Sequence, residues 1–157
     1  MGQGPTGHGP SGHGPSMLEL EIPSDVGYIE AVVAQVVMRC ESAGFDHRHL
    51  AFTIPVALTE AVSNAILRGN REARDKSVRL RVEVDAQTLV VDVEDDGVGF
   101  DLDACTLDPT TSDNLGREDG RGLFLMRRLM DRVEQFRARG NVVRMTLHRH
   151  SSDDRAA

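Results

Sequence analysis

Leu58-Thr59-Glu60-Ala61-Val62-Ser63-Asn64-Ala65-Ile66-Leu67-Arg68-Gly69-Asn70 is the stretch whose reading decides the fold. Leu58, Ala61, Val62, Ala65 and Ile66 recur at helical spacing and form one apolar stripe, so the segment reads as a single amphipathic helix. Glu60 and Asn64 stand one turn apart on another face, with Ser63 and Arg68 nearby. A carboxylate and a carboxamide oxygen are hard donors, of the kind Mg2+ accepts. Taken alone, that face reads as solvated surface, because so short a pattern recurs without chemistry behind it. Its meaning depends on the segments around it.

Upstream, Leu18, Leu20 and Ile22 alternate with Glu19 and Glu21, the pattern of an edge strand over 17–22 with one buried face. Pro23 ends it, and Ser24 or Asp25 caps a helix running to about Ala43. The stripe of that helix is Val26, Ile29, Val33, Val36, Val37 and Cys40, and Gly44 stops it. The opening helix then runs from Phe52 to Asn70, with Pro55 near its start.

Downstream, Val78, Leu80, Val82 and Val84, then Leu89, Val91 and Val93, alternate with polar residues and predict an antiparallel hairpin. The hairpin leads into Asp95-Asp96-Gly97-Val98-Gly99-Phe100-Asp101. Residues 102–119 are polar and irregular, a long loop of the kind that is functional or disordered. Gly120-Arg121-Gly122 opens a helix with Leu123, Met126, Leu129 and Met130 inward. A last hairpin, 133–138 and 142–148, turns at Arg139-Gly140-Asn141. The order predicts an α+β two-layer sandwich: a mixed, mostly antiparallel sheet with helices on one face. Residues 1–16, with Gly, Pro, His and Ser in a repeating beat, are expected to be a disordered tail. The domain is expected over 17–150, and 151–157 as a frayed end.

The chain has 157 residues, enough for one domain with a core, and a formal charge of −7. That charge advertises neither direct nucleic-acid binding nor a membrane surface, so any anion site must be local. Cys40 and Cys105 are too few for a disulfide framework, which fits a reducing cytoplasm. No apolar run is read as approaching the ~20 residues of a membrane span. No basic start followed by an apolar block marks a signal peptide. The pairs His8 and His13, His47 and His49, and His148 and His150 lack a third ligand and read as solvated.

Three pieces now stand together, each with a use for a nucleotide. Asp96, at a strand end, can accept a hydrogen bond from an adenine amine, and Gly97 and Gly99 let a planar base approach the backbone. The helix start at Gly120, Arg121 and Gly122 offers free N–H groups and a positive dipole end to phosphates. Asn64 can hold a bridging Mg2+, and Glu60 can take a proton from an attacking hydroxyl. Phosphoryl transfer needs mostly positioning and charge neutralisation, which this inventory supplies.

Glu60-x-x-x-Asn64-Ala65, Asp96-Gly97-Val98-Gly99-Phe100 and Gly120-Arg121-Gly122-Leu123 resemble the nucleotide-binding boxes of the GHKL (Bergerat-fold) ATPases. Within that superfamily the chain is most similar to the stand-alone anti-sigma factor serine/threonine kinases, over about residues 18–148. The resemblance implies a cytoplasmic Mg-ATP-binding protein, often a homodimer. Such a protein sequesters a sigma factor and phosphorylates a serine on a STAS-type anti-sigma antagonist. It implies Glu60 as catalytic base and Asn64 as Mg2+ ligand. Arg68, Asp96, Gly97, Gly99, Gly120, Arg121, Gly122 and Leu123 complete the implied ATP site. Relatives commonly carry histidine where this chain has Arg68, and Asn70 matches their His-Gly-Asn ending. An arginine cannot serve as a base, so a binding module in which ATP controls partner affinity without phosphoryl transfer stands as the alternative.

Overall fold

The computed structural model describes residues 15–97 and 118–149. Along the chain lie β1 (Ser16–Pro23), α1 (Ile29–Ser42), α2 (Ile54–Asn64), β2 (Ser77–Val84), β3 (Thr88–Asp95), α3 (Glu118–Leu129), β4 (Arg132–Arg137) and β5 (Asn141–His148). The strands form one sheet in the order β1-β2-β3-β5-β4. The α+β reading holds, but all four pairings are antiparallel, so the sheet is not mixed among the described residues. Two pairings are hairpins. Between β1 and β2, the excursion through α1 and α2 returns the chain to the end it left, with Pro23 opposite Ser77.

The alternation of the strands sorts their side chains. Val78, Leu80, Val82, Val84, Leu89, Val91 and Val93 are buried on the inner face, and Met145 and Leu147 of β5 join them. Against them lies α2, whose Leu58 and Val62, with Ile66 in the turn that follows, are at most 1% exposed. In turn α2 packs on α1 and α3. Burying side chains of this size stabilises by about 1.5–3 kcal/mol each, so α2 is the core helix.

Two features of the helical layer differ from expectation. Residues Val26–Tyr28 form a 3-10 turn capped by Asp25, whose carboxylate accepts the Gly27 N–H at 2.8 Å. The α-helix therefore starts at Ile29. Its buried positions are Val32, Val36 and Cys40, while Val26 is 51% exposed. Burial pushes the Cys40 thiol up to about 12, consistent with an inert core residue. The second feature is a pair of π turns, His49–Thr53 and Ala65–Gly69, that bracket α2. Pro55 has no N–H to donate back along a helix, and the wider turn just before it carries the chain into that position. His49, expected in solvent, is buried in this turn beside Phe45.

With its π turns the helix runs 21 residues, His49–Gly69, with a mean hydropathy of 1.6 in its most apolar window. By length and composition that suffices to cross a membrane, contrary to the sequence reading. Its packing between the sheet, α1 and α3 accounts for the apolar content.

On the outer face of the sheet the polar residues form a ladder. Glu19, Arg81, Asp92, Arg144 and Glu134 stand opposite one another from β1 to β4, a row of alternating charge. Within it Arg144 grips Asp92 with two hydrogen bonds, 2.7 and 2.8 Å, and lies 4.9 Å from the Phe136 ring.

Where α2 meets the sheet, Asn70 is fully buried. Its amide nitrogen donates to Ser24 Oγ at 2.8 Å and to the Ser77 carbonyl at 2.9 Å. Its amide oxygen accepts the Asp96 N–H at 2.8 Å. One side chain thus ties the end of α2 to the ends of β1, β2 and β3. An Asn70→Ala variant leaves these groups without partners and is expected to lose about 3 kcal/mol of stability, readable as a lower urea midpoint with an unchanged slope.

Candidate functional site

The strand end after β3 is the centre of the site. Strand alternation sends Asp95 inward, behind Leu89, Val91 and Val93, where it is 2% exposed. Asp96 points the other way, is exposed, and gives its carboxylate to Arg79 Nη2 at 2.9 Å and to the Ser77 N–H at 3.4 Å. The acid facing the helical layer is therefore Asp95, not the Asp96 expected from sequence. The parity of the strand carries the signal: three inward apolar residues at odd positions put position 95 on their side.

Asp95 sits in a cradle made by glycines. A Cβ on Gly69 would lie 2.2 Å from the Asp95 Cγ, and one on Gly97 would lie 2.3 Å from the Gly69 carbonyl oxygen. A Cβ on Gly140 would meet the Asp95 carbonyl oxygen at 1.9 Å. Asp95 Oδ1 accepts the Gly97 N–H at 2.7 Å, and Oδ2 accepts from Asn141 Nδ2 at 3.3 Å. Asn141 in turn accepts from Gln135 Nε2 at 2.5 Å. Gly69, Gly140, Asn141 and Gln135 were not singled out from sequence; Gly140 and Asn141 read there only as a hairpin turn.

Electrostatics separate the two acids. Burial pushes the Asp95 carboxyl above its usual range, against the lowering effect of the Gly97 N–H and the Asn141 amide. The neighbouring Asp96 charge raises it further, while Arg79 lowers it. For Asp96, burial also acts upward, but the Arg79 and Ser77 hydrogen bonds outweigh it and hold the carboxyl below its usual range. The stability that Asp96 contributes is thus present above the unfolded value of about 3.9 and is lost as pH falls through its lower folded value. For Asp95 the sign reverses: stability falls as pH rises from the unfolded value through the raised folded one.

On α2, Glu60 and Asn64 are both half-buried. The Asn64 side-chain nitrogen is buried with no hydrogen-bond partner among the described residues. No group of three His, Cys, Asp or Glu side chains is placed to hold a metal ion among the described residues. Arg68 is exposed in the last π turn. The helix expected to open at Gly120 begins at Glu118, so Gly120, Arg121 and Gly122 fall in its first turns. Gly99 and the side chains of Arg121 and Leu123 lie outside the described residues.

The antiparallel sheet covered on one face by helices agrees with the comparisons. The histidine kinase-like ATPase domain family matches residues 22–147. The chain belongs to this family. It is 28% identical over 134 residues to serine-protein kinase RsbW of Bacillus subtilis, covering 82% of this chain and 83% of that protein. It is also 28% identical over 96 residues to the anti-sigma F factor of Clostridium beijerinckii, covering 60% of this chain and 66% of that one. The RsbU and RsbW domains of a Mycobacterium tuberculosis protein share the fold, with a TM-score of 0.57 and 17% identity over 86% of this chain. This chain spans 32% of that longer one.

A Gly69→Ala variant is expected to push the Asp95 side chain out of its cradle. The check is a 13C carboxyl titration: Asp95 titrates above and Asp96 below the usual carboxylate midpoint in the parent, and Asp95 returns toward it in the variant.

Proposed function

We propose that the protein is an ATP-dependent serine/threonine-protein kinase of the anti-sigma type. In this reading it sequesters a sigma factor and phosphorylates a serine on a STAS-type antagonist. The observation that carries the reading is the Asp95 cradle facing α2. The buried carboxylate accepts one hydrogen bond on each oxygen, from the Gly97 N–H and the Asn141 amide, and Gly69 and Gly97 put no Cβ against it.

The residues present fit Mg-ATP. Asp95 accepts the adenine amine, replacing Asp96 in the role first read from sequence. Gly97 lines the base, and Gly99, read from sequence for the same role, lies outside the described residues. The first turn of α3 offers the backbone N–H groups of Gly120 and Arg121 to the phosphates, with Gly122 and Leu123 following directly in the helix. Asn64 would be the protein's oxygen ligand to Mg2+, with phosphates and water filling the remaining positions, as that ion prefers. Bound Mg-ATP supplies the phosphoryl group. Glu60, one turn before Asn64, takes the proton of the attacking serine hydroxyl. Arg68 adds positive charge at the end of the same helix and takes no proton. We place the working protein in the cytoplasm as a homodimer, with a domain over 17–150 between its two tails.

The binding-module alternative rests on Arg68, which removes a titratable group from the phosphate end of α2. Labelled ATP and a STAS-type antagonist protein separate the two. The kinase reading expects phosphoserine on the antagonist. Glu60→Gln should cut turnover by about 100-fold with ATP affinity retained. Asp95→Asn should weaken ATP binding by about 10- to 100-fold, one lost charged hydrogen bond. Tight ATP binding with no transfer would establish the binding module instead.

A further inference from the structure

Arg79 stands on β2, on the sheet face turned away from the helices, yet its side chain reaches the corner that carries Asp95. Its Nε meets Glu94 Oε1 at 2.5 Å and its Nη2 meets Asp96 Oδ1 at 2.9 Å. Glu94 and Asp96 are the two sequence neighbours of Asp95, so one guanidinium grips both flanks of the buried carboxylate. The other oxygens of those acids hold the surrounding turns: Glu94 Oε2 accepts the Gly140 N–H and Asp96 Oδ2 the Ser77 N–H, both at 3.4 Å. The Arg79 side chain is only 20% exposed, so the grip is partly shielded from water.

We propose that Arg79 is a positioning residue for the nucleotide pocket, fixing the Glu94-Asp95-Asp96 corner from the far side of the sheet. The proposal rests on the reading of Asp95 as the adenine acceptor. Three consecutive acids would otherwise repel one another at the point where the strand must stop and turn. A planar fork can bridge two carboxylates at once, which a single point charge does less well. Among the described residues the charges that act on Asp95 are those of Asp96 on its own strand and Arg79 on β2, with Lys76 just before β2 acting on Asp96. Asn141 of β5 and Gly69 and Asn70 at the end of the helix are uncharged. Removing Arg79 therefore makes an already acidic corner more negative. Asp95 would then hold its proton to higher pH, and a protonated Asp95 is a poorer acceptor for an amine.

The test pairs two measurements on the full chain. The 13C carboxyl titration of Asp95 is followed without nucleotide, and ATP binding is followed by calorimetry between pH 5 and 8. In Arg79→Met the Asp95 midpoint should move up, and ATP affinity should fall about tenfold at the acid end and less at pH 8. Arg79→Lys should keep the parent midpoint, because the charge remains, while ATP affinity drops at every pH, because the fork is lost. Circular dichroism melts show that each variant is folded; if Arg79→Met is not, the lysine variant alone decides. An Asp95 midpoint unchanged in Arg79→Met, or parent-like ATP affinity in Arg79→Lys, overturns the proposal. A parent protein whose Asp95 titrates as described but binds no ATP overturns the nucleotide reading, and the titration still decides the role of Arg79.

Discussion

The buried amide of Asn70 is the contact on which the architecture turns. Helices and sheets satisfy their own backbones, so the places where they meet need a separate device. Here a fully buried side chain closes hydrogen bonds to Ser24, Ser77 and Asp96 from the end of the core helix. Ser24 in turn donates to the Lys76 carbonyl at 2.9 Å, closing a small polar network between three strand ends. A polar network with every member satisfied specifies one arrangement, because any shift leaves a buried group unpaired. The corner at Asp95 inherits its position from that network.

The site is assembled from segments far apart in sequence, and each contributes backbone as much as side chain. Gly140, in the β4–β5 turn, lets that hairpin press against the Asp95 carbonyl, and Gly69 lets the helix end press against its carboxylate. The acid is thereby enclosed from both sides, and burial raises its proton affinity. A buried carboxylate with unspent acceptor capacity is costly for the fold and useful for recognition.

Much of this was legible in the residues. Alternation in 78–84 and 89–93 placed both central strands and their inner faces, and the stripe from Leu58 to Ile66 identified the core helix. What the pattern did not yield depends on contacts distant in sequence. Telling that Asp95 is buried and Asp96 exposed requires counting parity from the strand core to its end, which a motif does not do. The π turns have no sequence mark besides Pro55, and their effect is to bury His49 where a lone histidine reads as surface. The stripe of α1 was read in the right phase, with Ile29, Val33, Val36, Val37 and Cys40 in or against the core, but it missed Val32 and took in Val26, which belongs to a capped 3-10 turn before the helix.

The acidic flank of β1 bears on how copies of this chain can meet. Glu19 is balanced on one side by Arg81 across the ladder, but on the other side β1 is the free edge of the sheet. Antiparallel pairing of two such edges about Glu19, Leu20 or Glu21 would set acid against acid on the outer face, a destabilising match in any sheet. The edge therefore selects against its own image and welcomes a strand whose outward residues are basic. A symmetric pair that joins through β1 has to slip in register or draw on salt. The sheet thus guards against endless growth while leaving one side open to a partner of opposite sign.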